Sequence, residues 1–277
     1  MSRAMQDETR AIQRTKGGPV TGASLAAGLA AMGVRRGDRL LVHASLSSFG
    51  FVTGGAQAVL EALKELVADA GLLAAPAFTG HFSDPVHWRA PPVPSDWWPT
   101  IRSTTPAFDP AVSPSRAMGA LSELMRTSPG AARGPHPQVS FTAWGSGAEA
   151  MVAPHAVDAW LGDGSPLQRL YDLDAKVLFL GTGYATCTTF HLGEHRASAV
   201  SFRLDGAPMM VEGVRTWVTF EAPDYDTEPF EALGAEFETT GCVTVAEIGA
   251  AECRLFPLCA ASDFAEARAR AGPGVGR

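Results

Sequence analysis

The segment from residue 39 to residue 78 constrains the fold of this chain more than any other part of its sequence. The short apolar run "RLLVHAS" at 39–45 follows a Gly-Asp turn and is typical of a buried strand. Apolar residues recur at helical spacing through "GGAQAVLEALKELVADAG" at 54–71, and "LLAAPAF" at 72–78 has the character of a second strand. Strand, loop, helix and strand in this order predict a βαβ unit, and therefore a layered α/β fold.

The rest of the chain continues this alternation, and no shift in composition marks a domain boundary. Apolar spacing predicts further helices over 20–33, 117–127, 146–152, 165–172 and 227–238 and a last one ending near 271, strands over 139–144 and 175–181, and β structure over 199–221 and 242–258. Residues 1–19 are polar and charged, which predicts a flexible N-terminal arm in front of a single domain over 20–277.

Residues 79–116 interrupt the regular pattern. The segment contains eight prolines and three of the six tryptophans of the chain. Long segments without regular structure are uncommon in compact domains and are usually functional when ordered. We therefore interpret it as an insertion that forms either the wall of a substrate cleft or a packing flap.

Composition and charge narrow the classes of function. The net charge of −7 argues against a nucleic-acid partner, because phosphate backbones select basic surfaces, and it suits a cationic ligand. Four cysteines without a C-x-x-C pair predict reduced thiols. The chain has no apolar signal segment and no apolar run of about 18 residues, which predicts a cytoplasmic protein without a membrane partner.

The stretch "FHLGEHR" at 190–196 contains the H-x-x-E-H pattern of inverted zinc peptidases. A zinc site would need His191 and His195 on one helix face, yet Gly193 between them costs about 1 kcal/mol of helix propensity. Two surface or capping histidines are a second interpretation. A third makes His191 a general base, because it follows the strand at 175–181 and open α/β sheets bind ligands at the carboxyl ends of their strands.

A histidine base needs a carboxylate that orients its ring. Asp224 and Asp226 of "EAPDYDTE" are candidates for this carboxylate, because residues two apart point the same way in an extended segment. An acidic turn that precedes a helix is the alternative interpretation of this segment. Cys187, four residues before His191, suggests a covalent nucleophile or a small buried side chain.

Two loops are candidates for ligand binding. "HASLSSFG" at 43–50 lies between a strand and a helix, where backbone N–H groups can hold a phosphate such as the pyrophosphate of coenzyme A, although an ordinary connection fits equally. "ARGPHPQVSF" at 132–141 places Arg133 beside a strand as a phosphate contact or as part of a proline-stiffened turn.

Taken in order, these segments resemble the aminoglycoside 3-N-acetyltransferase family, the antibiotic N-acetyltransferases. The resemblance extends from about residue 20 to residue 265 and rests on several blocks: "LLVHASLSSFGFVTGGAQAVLEAL", "SDPVHWRAPPVPSDWWPTIR", "PAFDP", "RGPHPQVSFTAWG", "GDGSPLQRLYDL", "VLFLGTG", "TTFHLGEHRA" and "DYD". It implies a layered mixed sheet flanked by helices, in the fold of this family and not that of the common acetyltransferase superfamily.

The resemblance also implies a reaction and its participants. An acetyl group passes from acetyl-CoA, without a metal, to the 3-amino group of a 2-deoxystreptamine aminoglycoside, and the enzyme confers antibiotic resistance as a monomer or a homodimer. The resemblance makes His191 the catalytic base, assisted by Asp224 and Asp226. The residues expected to face the cationic sugar are Asp84, Glu123 and Glu194.

The coenzyme A site follows from the same resemblance, with contacts from His43, Ala44, Ser45, Leu46, Ser47, Arg133, Ser140 and Phe141. This chain departs from the family pattern at Gly193, where alanine is usual, at Cys187, where asparagine or serine is usual, and at Gly134, where serine is usual. His195 is then an incidental neighbour of the family's glutamate. A different amine substrate, a zinc peptidase and a non-catalytic binder are the alternatives.

Overall fold

A computed structural model of the chain describes residues 3–272. Its strands are β1 (Arg39–Ala44), β2 (Leu72–Pro76), β3 (Ala131–Arg133), β4 (Phe141–Gly145), β5 (Lys176–Leu180), β6 (Phe202–Val211), β7 (Val214–Pro223), β8 (Thr244–Ile248) and β9 (Ala251–Pro257). Its helices are α1 (Arg3–Arg14), α2 (Gly22–Met32), α3 (Gly55–Val67), α4 (Trp98–Thr104), α5 (Gly119–Thr127), α6 (Ala148–Val152), α7 (Pro166–Asp172), α8 (Thr188–Arg196), α9 (Phe230–Glu238) and α10 (Leu258–Ala271). The predicted helices and strands are present, with their ends shifted by a few residues.

One mixed sheet forms the centre of the molecule, with the strand order β3-β4-β2-β1-β5-β9-β8. Strand β1 lies between β2 and β5 and is parallel to both, whereas the outer pairs are antiparallel. Because α3 connects the parallel strands β1 and β2, the predicted βαβ unit is confirmed. The carboxyl ends of β1 and β5 therefore meet at one edge of the sheet, which is where open α/β sheets bind ligands.

Helices cover both faces of this sheet because the apolar residues of β5 point alternately to the two sides. Val177 and Phe179 pack in one cluster together with Phe190 of α8. Leu178 and Leu180 belong to a second cluster, which includes the apolar faces of α2 and α3. All five side chains are fully buried, and each such side chain contributes about 1.5–3 kcal/mol of hydrophobic stabilisation. Strand β5 and α8 are thus held rigidly at the edge that carries the site.

Helix α8 packs closely against the C-terminal helix α10 at Gly193. A Cβ atom on this glycine would lie 2.4 Å from the carbonyl oxygen of Ser262 and 2.6 Å from the backbone nitrogen of Glu266. Gly193 does not prevent a helix here, since α8 runs through it from Thr188 to Arg196, and the argument against a helix at this position is wrong. Glycine lowers helix propensity, but the close contact between α8 and α10 leaves no room for any side chain at this position.

The proline- and tryptophan-rich insertion at 79–116 lies along the two-stranded sheet of β6 and β7. The backbone N–H of Asp84 donates to the carboxylate of Asp205 at 2.7 Å, and the N–H of Phe108 donates to the carbonyl of Pro208 at 2.8 Å. Short 3₁₀ turns and α4 give the insertion local structure. It is a structured flap held on the hairpin.

The N-terminal segment differs from the expected arm. Residues Arg3–Arg14 form α1, and the hydroxyl of Thr15 accepts a hydrogen bond from the N–H of Phe51 at 2.8 Å, just after the 3₁₀ turn Leu46–Phe49. The flexibility of residues 1–19 stays a prediction, and Met1 and Ser2 lie outside the described residues. Between residues 3 and 272, no helix is both long enough and apolar enough to span a bilayer.

Candidate active site

A cleft of about 710 Å³ opens where the carboxyl ends of β1 and β5 meet. Its lining includes residues 43–47 at the end of β1 and just after it, residues 117–122 at the start of α5, residues 185–188 leading into α8, and His191. The start of α5 comes close to β1 because Gly119 has a φ of +80° and no side chain; a Cβ atom there would lie 3.3 Å from the carbonyl oxygen of Ala44. Residues from three distant parts of the chain thus share one cavity.

His191 lies one turn into α8 with its side chain almost fully buried. Its Nδ1 atom is 2.7 Å from Oε2 of Glu194, which is three residues further on and therefore on the same helix face. An ionised carboxylate can only accept a hydrogen bond, so Nδ1 carries the proton and the lone pair of Nε2 is available as a base. This is the arrangement that general base catalysis requires.

Two aromatic rings enclose the imidazole of His191. The ring centroid of Tyr225 lies 4.1 Å away at an interplanar angle of 35°, and that of Phe230 lies 4.7 Å away at 51°. Tyr225 comes from the segment after β7, and Phe230 is the first residue of α9. The imidazole of His191 is therefore held by a polar contact in its own helix and by ring contacts from two other elements.

The predicted assisting carboxylates do not contact His191. Asp224 is exposed and forms an ion pair with Arg203, while Asp226 accepts a hydrogen bond from the N–H of Glu228 at 2.9 Å. The orienting contact is made by Glu194, which the resemblance had directed toward the substrate. A catalytic role for Asp224 and Asp226 stays a prediction that the observed contacts do not favour.

The end of β1 and the loop after it form one side of the cleft. Residues His43, Ala44, Ser45, Leu46 and Ser47 all line the cleft, and their contact with coenzyme A stays a prediction. The loop is anchored by the N–H of Ser45, which donates to the carbonyl of Leu180 at 2.9 Å. His43 packs edge-on against Phe179, and burial lowers the pKa of His43 to about 3, so its ring is neutral near pH 7. The His43 ring therefore adds no charge to this side of the cleft.

A family model for the aminoglycoside 3-N-acetyltransferases matches residues 41–270 of this chain. The chain belongs to this family. The predicted family, fold class and acyltransferase class are therefore confirmed.

Individual relatives agree with the family assignment. The aminoglycoside N(3')-acetyltransferase-like protein YokD of Bacillus subtilis is 40% identical over 90% of this chain and 92% of its own length, and its crystal structure superposes with a TM-score of 0.91 over 94% of this chain and 96% of YokD. Aminoglycoside N(3)-acetyltransferase VII of Streptomyces paromomycinus is 34% identical over 93% of this chain and 94% of its own length. A solved structure described as AAC-IIIb binary with CoASH is 30% identical and superposes with a TM-score of 0.82 over 94% of this chain and all of AAC-IIIb.

Three residues that the resemblance assigned to coenzyme A lie behind the cleft wall. The guanidinium of Arg133 donates to Ser140 Oγ at 3.1 Å and to the carbonyl of Ala77 at 2.8 Å, and it also reaches the insertion at Ser113. Ser140 and Phe141 are fully buried. Burial lowers the pKa of Arg133 to about 10. These contacts hold β2, β4 and the insertion together, and a direct contact with coenzyme A stays a prediction for all three.

Two of the three carboxylates predicted to face the sugar, Asp84 and Glu123, are already paired with arginines. Asp84 receives two hydrogen bonds from Arg102, at 2.7 and 2.9 Å. Glu123 forms an ion pair with Arg126 and accepts from the hydroxyl of Ser115 at 2.7 Å, and hydrogen bonding to Arg126 is the main reason that its pKa falls to about 2. A contact between these two carboxylates and the substrate stays a prediction. In such a contact, a cationic group of the substrate would compete with the arginine that each carboxylate already binds.

The zinc and nucleophile interpretations do not agree with the geometry. Nε2 of His195 is 2.6 Å from the hydroxyl of Tyr225, and Nδ1 of His191 is engaged by Glu194. Within residues 3–272, no three His, Cys, Asp or Glu side chains are grouped as metal ligands. Burial raises the pKa of Cys187 to about 12, so its thiol stays protonated near pH 7. That the site uses no metal stays a prediction.

Sequence reasoning missed Tyr225 and the segment 117–122. Tyr225 stands between Asp224 and Asp226, and the alternation of an extended chain directs it away from both, toward His191. That alternation was the available signal. The segment 117–122 carries no comparable pattern, because it lines the cleft mainly with small and apolar residues.

Proposed function

We propose that this protein transfers the acetyl group of acetyl-CoA to the 3-amino group of a 2-deoxystreptamine aminoglycoside, with His191 as the general base. The observation that carries the proposal is the 2.7 Å contact between His191 Nδ1 and Glu194. This contact leaves the other ring nitrogen, Nε2, available to react, and His191 lines a ligand-sized cleft. A relative of the same fold is described as a binary complex with CoASH, which supports coenzyme A as the carrier.

The reaction needs one proton acceptor and no covalent intermediate on the protein. Nε2 of His191 accepts a proton from the substrate ammonium, and the free amine attacks the thioester carbonyl of acetyl-CoA. The carbon–nitrogen bond forms and the carbon–sulfur bond breaks. The imidazolium gives its proton to the departing thiolate, and the second proton of the former ammonium leaves the new amide nitrogen for water. The Glu194 carboxylate stabilises the imidazolium while it holds the proton, and the neutral ring of His43 suits a thioester.

Two arginines next to the cleft are suited to the phosphates of coenzyme A. Arg14 of α1 reaches the carbonyl of Ser47 at 3.4 Å, and Ser47 lines the cleft. Arg116 is exposed and directly precedes Ala117, which lines the cleft. The backbone N–H of Arg116 donates to the carbonyl of Phe78, another residue of the cleft lining, at 2.8 Å. Since Arg133 is committed to protein oxygens, we assign the phosphate contacts to Arg14 and Arg116.

The substrate class follows from charge as well as from the family. The net charge of −7 favours a polycation near the protein, and Glu194 supplies negative charge beside the base. The ion pairs of Asp84 with Arg102 and of Glu123 with Arg126 favour a second candidate, in which the same chemistry acts on a smaller or less cationic amine. In both cases the reaction belongs in the cytoplasm, where acetyl-CoA is available to an enzyme with unpaired cysteines.

The test measures thiol release from acetyl-CoA with gentamicin, tobramycin, kanamycin and neomycin, for the wild type and for His191→Ala. Drug-dependent release that falls about 10²–10⁴-fold in the variant would support both substrate and base. Simple polyamines and amino sugars form a second panel. Release with that panel alone would select the second candidate, and release that persists in His191→Ala would contradict the assigned base.

A further inference from the structure

The second histidine of the H-x-x-E-H motif has a direct structural connection to the first. His195 lies one turn after His191 on α8, and its Nε2 is 2.6 Å from the hydroxyl of Tyr225. The ring of the same tyrosine lies 4.1 Å from the imidazole of His191, at 35°. Tyr225 thus contacts both histidines of the motif, one through its hydroxyl and one through its ring face.

We propose that His195 and Tyr225 form a positioning pair for His191, in which His195 holds the tyrosine hydroxyl and the tyrosine ring fixes the plane of the base. This inference rests on the proposed role of His191. Glu194 restrains Nδ1 at one point only, and rotation about that hydrogen bond would still turn Nε2 away from the cleft. A ring against the face of the imidazole removes this freedom.

The hydrogen bond of the pair has a defined direction. Burial lowers the pKa of His195 to about 4, so its ring is neutral near pH 7, and burial raises the pKa of Tyr225, so its hydroxyl keeps its proton; in the pair this hydroxyl donates to Nε2 of His195. The His195 ring also packs closely against Gly162, where a Cβ atom would lie 2.9 Å from its Cγ atom. Any side chain at position 162 would therefore displace the ring.

The pair explains why the motif is complete although no zinc geometry is present. In the described part of the chain, residues 3–272, no third His, Cys, Asp or Glu side chain is grouped with the two histidines as a metal ligand. His195 is therefore not incidental to the glutamate before it. It acts on the base through Tyr225 and does not touch the cleft, whose lining includes His191 but not His195.

A double-mutant cycle tests the pair, using acetyl-CoA and an amine that the wild type accepts. Tyr225→Phe and His195→Leu are each expected to lower kcat roughly ten-fold with both KM values within about two-fold, because misplaced bases lose rate more than binding. If His195 acts only through the tyrosine, the double variant equals the single variants. Tyr171→Phe is the matched control, since its hydroxyl bonds to Asp263 at 2.9 Å and not to the site, and it keeps its kcat.

His195→Gln keeps the test decisive if His195→Leu does not fold. The glutamine amide places an acceptor oxygen at about the distance of Nε2, so it is expected to keep at least half of kcat, whereas Tyr225→Phe still loses it. Unchanged kcat in Tyr225→Phe, multiplied losses in the double variant, or a glutamine variant as slow as Tyr225→Phe would overturn the proposal. A wild type that releases no thiol with any amine would instead contradict the proposed function.

Discussion

The Nδ1 atom of His191 lies 2.7 Å from Oε2 of Glu194, one helical turn further along α8. Both side chains come from one rigid element that is packed on α10 and on the central sheet, so their separation does not depend on a mobile loop. The proposed base and the carboxylate that contacts it are thus built into the fold itself.

Glu194 is the first residue to test by substitution. Glu194→Ala removes both the acceptor and the negative charge beside His191, and we expect kcat to fall about 10²-fold. Glu194→Gln keeps an acceptor for Nδ1–H but not the charge, and a smaller loss is expected. Asp224→Asn is the matched control, because Asp224 pairs with Arg203 on the surface, and its kcat is expected to stay within about two-fold. A larger loss in Asp224→Asn than in Glu194→Ala would restore the assignment made from the resemblance.

Gly193→Ala tests the contact between α8 and α10. The added Cβ atom meets the carbonyl of Ser262 at 2.4 Å, and overpacking of this kind costs about 1–3 kcal/mol or more, although alanine is the better helix former. Thermal unfolding should show a Tm several degrees lower, with a fall in kcat because the base moves with α8. Gly80→Ala is the control, since nothing lies within 4 Å of the added atom. An unchanged Tm in Gly193→Ala would show that the two helices separate at little cost.

Arg116→Gln tests the proposed phosphate contact. We expect KM for acetyl-CoA to rise roughly five-fold at constant kcat, because one charge-assisted hydrogen bond to a phosphate is lost. The rise should shrink at high salt, where the wild type also loses this attraction. Arg36→Gln is the control, since Arg36 is equally exposed but precedes β1, at the opposite edge of the sheet. Equal KM values for both variants would remove Arg116 from the coenzyme A site.

The buried histidines make stability depend on pH. Burial lowers the pKa of His155 and of His195 to about 4, and that of His136 falls as well. The unfolded chain, with pKa values near 6.5, then binds more protons than the folded chain between about pH 4 and pH 6.5. Stability is fully present above pH 6.5 and is lost as the pH falls through that window.

Melting curves between pH 7.5 and pH 4.5 measure this loss. His155 contacts the carbonyl of Trp160 at 2.7 Å, and the amide of a His155→Gln variant keeps a donor for this carbonyl. Because glutamine cannot titrate, the Tm of this variant should fall less steeply than that of the wild type as the pH is lowered. The difference is expected to reach up to about 3 kcal/mol at the acid end. Parallel slopes for His155→Gln and the wild type would place the acid sensitivity elsewhere.

The location of the base was predictable, and that of its partner was less so. The apolar run at 176–180 and the turn after it placed His191 at the carboxyl end of a strand, because hydrophobic periodicity reports local structure. The spacing of His191 and Glu194 also suited a helix face, but Gly193 argued against a helix by its propensity. Only the packing of α8 on α10 shows why the glycine is there.

Partners that are distant in the sequence could not be predicted. Arg102 pairs with Asp84, 18 residues away in the insertion, and Arg133 donates to the carbonyl oxygens of Ala77, just after β2, and of Ser113 in the insertion. No local pattern distinguishes an arginine that binds a protein oxygen from one that binds a ligand. The difference depends on which surfaces meet when the insertion folds onto the hairpin.

By itself, the amino-acid sequence determined the order of helices and strands, the parallel βαβ unit, the family and the histidine that we propose as base, because each depends on spacing along the chain. The tertiary structure decided which carboxylate contacts that histidine, that Tyr225 contacts both it and His195, and that Arg133, Ser140 and Phe141 do not line the cleft. These outcomes depend on distances between side chains of separate elements. Such distances are set by how the sheet, α8 and the insertion pack together, and that packing is the sum of many weak contacts across the whole chain.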